Sequence, residues 1–193
     1  MYLYNRVEEH GETNWAFRVK NELNLLGFGE LWINQYIDHN HLPIIKQRLL
    51  DQAQQFIRGQ ISESPKCIYY KYMIDVYCLQ YYLSKFIPAH FRKYITKFRL
   101  SSHKLAIETG RYHNTDRSDR VCFVCGNVIE DEFHFILVCP LYINLRKLYI
   151  QRYYWKKPSV FKLINVFNIR SIKHLRNLGI FLYHATNLRN SYI

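Results

Sequence analysis

Cys122-Phe-Val-Cys125-Gly-Asn-Val-Ile-Glu-Asp-Glu-Phe-His134-Phe-Ile-Leu-Val-Cys139 is the stretch on which the reading of this chain turns. Three thiols and one imidazole stand in the order Cys-x2-Cys-x8-His-x4-Cys. Cysteines separated by two residues can present both sulfurs to one ion from a single tight turn, and Gly126 offers the positive φ such a turn favours. The whole set can close around one tetrahedral ion. Zinc suits it, with cysteine sulfur at about 2.3 Å and histidine nitrogen at about 2.0–2.1 Å. Four protein ligands leave no position for water, so the expected Zn2+ is structural rather than catalytic. A Cys-x2-Cys alone would equally suit a redox pair or two small buried hydrophobes. The spaced His134 and Cys139 favour a metal.

Charge is arranged around this segment. The chain has 193 residues and a formal net charge of +12, with 49% hydrophobic residues and 17 tyrosines. Residues 1–83 are close to neutral, whereas residues 84–120 hold nine Lys/Arg against three Asp/Glu. The metal segment has three acids and no base, and residues 140–193 hold ten Lys/Arg and no acid. Cationic blocks of this length point to a polyanion, RNA or DNA first and an anionic membrane second. The plainer reading is a solvated basic face. No apolar run reaches the ~20 residues of a membrane span, and Met1-Tyr-Leu-Tyr leads into charge rather than into a signal peptide. Five cysteines, an odd number, argue for nucleus or cytoplasm over secretion. Cys67 and Cys78 read as core residues. His39 and His41 read as turn residues, not ligands.

Helical spacing dominates. Thr13 can cap a helix with Trp15, Val19, Leu23 and Leu26 as its stripe, stopped by Gly27 and Gly29. A short helix over residues 30–37 would carry Trp32 and Tyr36, and another from Pro43 would bury Ile45, Leu49, Ala53 and Phe56. The tyrosine-rich residues 66–87 are expected to be helical. Pro88 starts a helix with Phe91, Ile95 and Phe98 inward and Arg92, Lys93, Lys97 and Arg99 outward, and Gly110 closes the next segment. Within the metal segment, Glu130, Asp131 and Glu132 suit the positive end of a helix over residues 133–138, and Pro140 forces a bend at Cys139. Beyond it, Leu141, Leu145 and Leu148 form one face and Arg146 and Lys147 another. Arg152-Tyr-Tyr-Trp-Lys156-Lys157 interleaves cations with rings, as a base-stacking surface or as a turn anchored by buried aromatics. Residues 159–167 read as a short helix, and Ser171 can cap the last one, with Leu175, Leu178, Leu182 and Ala185 inward. The expectation is a mainly α fold: a helical linker-like domain (residues 1–110), a small CCHC zinc-binding module (111–150) and a basic helical C-terminal segment (151–193).

No phosphate-cradling glycine loop, nucleophile elbow or carboxylate cluster for a two-metal site is visible, so no catalysis is expected from this chain. Glu130-Asp-Glu-Phe-His134-Phe-Ile-Leu-Val-Cys139-Pro-Leu-Tyr-x-x-Leu-Arg146, with Cys122 and Cys125 before it, resembles the zinc-binding segment of LINE-type (non-LTR) retrotransposon reverse transcriptases. Phe98-Arg-Leu-Ser-Ser-His103-Lys-Leu-x-Ile-Glu108-x-Gly110-Arg111-Tyr is similar to the stretch leading into it, and residues 14–29 to the linker beyond the polymerase thumb. The resemblance implies zinc on Cys122, Cys125, His134 and Cys139, and a grip on template RNA or target DNA. In that family polymerase and endonuclease lie upstream, so the chain reads as a C-terminal piece whose partners include those domains. Phosphate contacts are expected from Arg92, Lys93, Lys97, Arg111, Arg146, Lys147, Lys156 and Lys157. Two other readings stand beside this one: a zinc-stabilised protein-interaction module that ignores nucleic acid, and a fragment completing an upstream active site. Chelation is expected to unfold the metal module locally.

Overall fold

A computed structural model describes residues 15–66, 68–74 and 78–193. Thr13, Asn14, Cys67, Asp75 and Tyr77 lie outside the described residues, as does the expected edge segment at residues 1–12. The described chain is mainly helical, with one isolated antiparallel bridge between Val121 and Ile129. It divides into two compact units, residues 1–60 and 61–193.

The first unit holds α1 (Trp15–Leu25), α2 (Gly29–Asn34) and most of α3 (His41–Glu63). Gly27, at φ +81°, ends α1. Its N–H donates to the Asn24 carbonyl and that of Phe28 to Leu23, the paired closure of a helix that stops at a left-handed glycine. Asp38 accepts from the N–H groups of Asn40 and His41 and so starts α3 two residues ahead of Pro43. The core is small: Ala16, Leu23 and Trp32, with Phe17, Phe28 and Ile45 against it. Trp15 and Val19, expected in the stripe of α1, are exposed, and Ala16 takes their place. The stripe expected on α3 is not buried either. None of its 23 residues is, because only Ile45 at its start reaches the small cluster.

The second unit contains α4 (Tyr81–Ser84), α5 (Ala89–Arg99), α6 (Ala106–Tyr112), α7 (Ile143–Tyr149), α8 (Arg152–Lys156), α9 (Val160–Phe167) and α10 (Ile172–Asn190). The helix expected over residues 66–87 is absent among the described residues: a 3₁₀ turn at Tyr70–Tyr72 and the short α4 replace it. Its rings are spread over a surface instead of lining a stripe, with Tyr82 and Met73 buried and Tyr69 and Tyr81 packed at the edge. Cys78 is exposed, not a core residue.

α10 lies along α5 and contacts α7. Leu175, Leu178, Phe181, Leu182 and Ala185 form its buried face. A Cβ on Gly179 would come within 2.7 Å of the Phe91 Cβ, so glycine there sets how closely the two helices approach. Gly110 makes room for a side chain instead. It lies inside α6 rather than closing it, and Arg120 crosses where a side chain would stand. Ser159 and Ser171 accept from the N–H groups of Lys162 and His174 and cap α9 and α10.

One core cluster runs from Met73 to Ala185 and includes Cys122, Cys139 and the C-terminal helix. The expected boundaries at residues 110 and 150 therefore do not divide the chain. Metal segment and basic tail share a core with residues 61–110, because α10 closes over α5.

Candidate metal centre

The four sequence-picked ligands come together. The Sγ atoms of Cys122, Cys125 and Cys139 and a ring nitrogen of His134 all lie within 4.8 Å of one another. Cys122 and Cys139 Sγ are 3.9 Å apart, far beyond the ~2.05 Å of a disulfide. Among the described residues no other His, Cys, Asp and Glu group of this kind occurs.

Local chemistry explains the convergence. Gly126 sits at φ +70°. Its N–H donates to the Cys122 carbonyl, that of Asn127 to Cys125, and that of Cys122 to Val128, so the Cys-x2-Cys turn is tied at both ends. His134 opens a π-helical turn, His134–Val138, instead of the expected α-helix. Such wide turns occur mostly as single insertions at functional sites. Cys139 leaves helical geometry at φ −51° and ψ 125° before Pro140, as the clash with the proline ring requires.

Three acids precede His134, and only one caps the turn. Asp131 accepts from the His134 N–H at 2.8 Å and from the Tyr69 hydroxyl at 2.6 Å. Glu130 is buried in a bidentate pair with Arg189 at 2.6 Å and also accepts from the Ala106 N–H. Glu132 accepts from the Ser101 hydroxyl, and His103 Nε2 lies 2.9 Å from its carboxylate. The Asp-x-x-His spacing is a capping pattern legible in sequence. The partners of Glu130 and Glu132 are 59 and 31 residues away and carry no local mark.

His134 is buried, and neither of its ring nitrogens has a hydrogen-bond partner. Buried polar atoms are normally paired, so an imidazole held bare between three sulfurs fits a metal ligand. Burial holds its pKa below the usual histidine value, which keeps the lone pair free. Burial also pushes the Cys139 thiol up to about 12 and raises that of Cys125. Without a cation these thiols keep their protons. With one they bind as thiolates. Cys122 and Cys139 are buried and Cys125 is half-buried, and four donors around one point can hold one metal ion.

Arg146 is the residue whose role sequence reasoning mistook. Expected on a solvent face as a phosphate contact, it is 1% exposed. Its Nε donates to the Ile136 carbonyl and Nη2 to Cys139, both at 2.8 Å, satisfying carbonyls at the end of the π turn. Burial lowers its pKa to about 10, still cationic at neutral pH. Three thiolates, neutral histidine and a divalent ion would carry one negative charge, and the guanidinium sits beside it. Arg99, expected outward, is buried as well, donating to the Phe167 carbonyl and Gln80. Leu148 is exposed, and Tyr142 and Arg146 form the buried face of that segment.

The other expected phosphate contacts scatter. Lys93, Lys147, Lys156 and Lys157 are exposed, and Arg92 is half-buried. Lys97 lies over the Tyr94 ring at 5.6 Å, and Arg111 pairs with Glu108 at 3.4 Å. In the aromatic stretch, Tyr154 and Trp155 pack against the core, and Tyr153 is exposed beneath Lys162. No helix among the described residues is long and apolar enough to cross a membrane. Compared with known protein families, with curated proteins and with solved structures, the chain matches none.

Proposed function

We propose that the chain is a non-catalytic, zinc-stapled module that grips RNA or DNA, of the kind that LINE-type retrotransposon reverse transcriptases carry beyond their polymerase. The convergence of Cys122, Cys125, His134 and Cys139 within 4.8 Å carries the reading. Zinc is favoured over other ions by the sulfur-rich set and by distance. Tetrahedral bonds of about 2.3 Å put sulfurs about 3.8 Å apart, and Cys122 and Cys139 stand at 3.9 Å. Support for a polyanionic partner is the exposed series Lys147, Lys156, Lys157 and Lys173 in a segment without an acid. Phosphate contacts of this sort carry little base information.

Metal analysis of protein purified without added zinc is expected to give one zinc per chain. Affinity for a nucleic acid should fall steeply with salt, as counterion release demands. Weak, salt-insensitive binding would overturn the reading.

The bare length of α3 favours a second reading, a zinc-stabilised protein-interaction module. Leu49, Phe56 and Ile57 are exposed on it. In that case charge reversal at Lys156 and Lys157 leaves partner binding intact, whereas under the first reading it weakens nucleic-acid binding.

A further inference from the structure

Beside the metal turn lies an open groove of about 810 Å³, within the range of pockets that hold small ligands. Leu137 and Val138, the last residues before Cys139, line it, and so does Trp155 from α8. Lys147, Arg152 and Lys156 also line it and are exposed, and no lining residue is acidic. Trp155 is half-buried and held by its indole N–H, which donates to the Ile150 carbonyl at 3.1 Å. The groove thus joins an apolar, ring-bearing wall to three free cations.

That pairing selects its ligand. A flat apolar group needs the wall, and anionic groups on either side need the lysines and Arg152. Nucleobases in a duplex are already stacked and paired, and only their edges are accessible. An unpaired strand exposes base faces, which aromatic side chains can take up one at a time. Lys157 follows Lys156 directly in sequence, and Lys173 and Arg176 are exposed too in a segment without an acid, a charge supply that suits an extended polyanion better than a single small anion.

We infer that this groove seats an unpaired base of a single nucleic-acid strand against Trp155, with the flanking phosphates on Lys147, Arg152 and Lys156. The inference rests on the nucleic-acid reading above and narrows it from RNA or DNA of any form to single strands. Because Leu137 and Val138 belong to the ligand-bearing turn, the seat also depends on the metal.

The test uses the zinc-loaded full chain, a labelled oligo(dT) strand and a blunt duplex of matched length. Fluorescence anisotropy is read at low and at physiological salt. The strand should bind more tightly than the duplex. Trp155→Leu should reduce the ratio of strand to duplex affinity roughly tenfold, the scale of one lost stacking contact, and Trp155→Phe should restore much of it. Chelation should abolish the preference. Equal affinity for strand and duplex, or an unchanged ratio in a folded Trp155→Leu, would overturn this inference and leave the broader reading intact. Binding to neither would end both.

If Trp155→Leu does not fold, an iodouracil-substituted strand is cross-linked to the wild-type protein instead. Adducts on the peptide containing Trp155 or Val138 support the seat, and adducts confined elsewhere overturn it. Tighter binding to phosphatidylserine–phosphatidylcholine vesicles than to the strand, lost in Trp155→Leu, would make the groove a lipid site and sink the inference.

Discussion

The two units of this chain bury their side chains on different terms. Residues 15–60 hold four buried apolar residues, Ala16, Leu23, Leu26 and Trp32, and α3 contributes none. Among the described residues of 61–193, 22 buried apolar side chains form one cluster, and threaded through it are Arg99, Glu130, Glu132, Arg146 and Arg189. Burying a charge is tolerable only where hydrogen bonds and counter-charges surround it, and a unit must be large to supply them at such distances in sequence. The metal cluster belongs to the second unit in this sense. Cys139, at 0% exposure, is a core residue as well as a candidate ligand.

Removing the metal tests that contrast hardest. In small zinc peptides the ion contributes about 10–16 kcal/mol, comparable with the ~5–15 kcal/mol that stabilises a whole domain. Since two ligands lie in the shared core, chelation or Cys125→Ser should strip hydrogen-exchange protection from α5 through α10 and leave that of α1 unchanged. Loss confined to residues 120–140 would restore the local unfolding expected from sequence and break the comparison.

Next in size is the pair between Glu130 and Arg189. Arg189→Met leaves a buried carboxylate without its cation, and breaking such a pair costs about 3–5 kcal/mol. Denaturant melting of the second unit should show it. A loss under 1 kcal/mol would mean that the Ala106 N–H alone satisfies Glu130.

Acid should act on the second unit through Glu132. Burial pushes its carboxyl up, but the hydrogen bond and charge of His103 and the Ser101 hydroxyl prevail and hold it below the ordinary value. A carboxyl lowered by folding contributes stability above its unfolded value, about 4.3, and loses it as pH falls through the folded one. Thermal melts should therefore weaken on acidification below about pH 4.3, and Glu132→Gln should flatten that part of the profile.

The smallest effect is expected on α3. Phe56 is 68% exposed, so Phe56→Gln should change stability by less than about 0.5 kcal/mol, whereas Leu163→Ala in the second core should cost about 2–5 kcal/mol. A large loss from Phe56→Gln would show that something covers α3 in solution and would sharpen the interaction reading.

Chelation is a nearly local act, and this is why the ligand set was readable. Cys122, Cys125, His134 and Cys139 lie within 18 residues, and the turn chemistry of Gly126 and Pro140 operates between neighbours. The helix cap at Ser171 was legible for the same reason. The aromatic run before α5 misled because its length, too great for one strand, suggested a helix, whereas Met73 and Tyr82 enter the shared core from a 3₁₀ turn and the four-residue α4. Arg146 misled because an arginine between Leu145 and Lys147 looks solvated until the carbonyls of Ile136 and Cys139 are folded against it.

Sequence alone determined which four side chains meet and where the late helices begin, since both depend on atoms a few residues apart. Tertiary structure decided which charges are buried, that the metal segment and the basic tail share a single core, and that, among the described residues, none on α3 is buried. The buried charges draw on partners as far as 59 and 68 residues away, and hydrophobic spacing records that a face is apolar without recording what comes to lie against it.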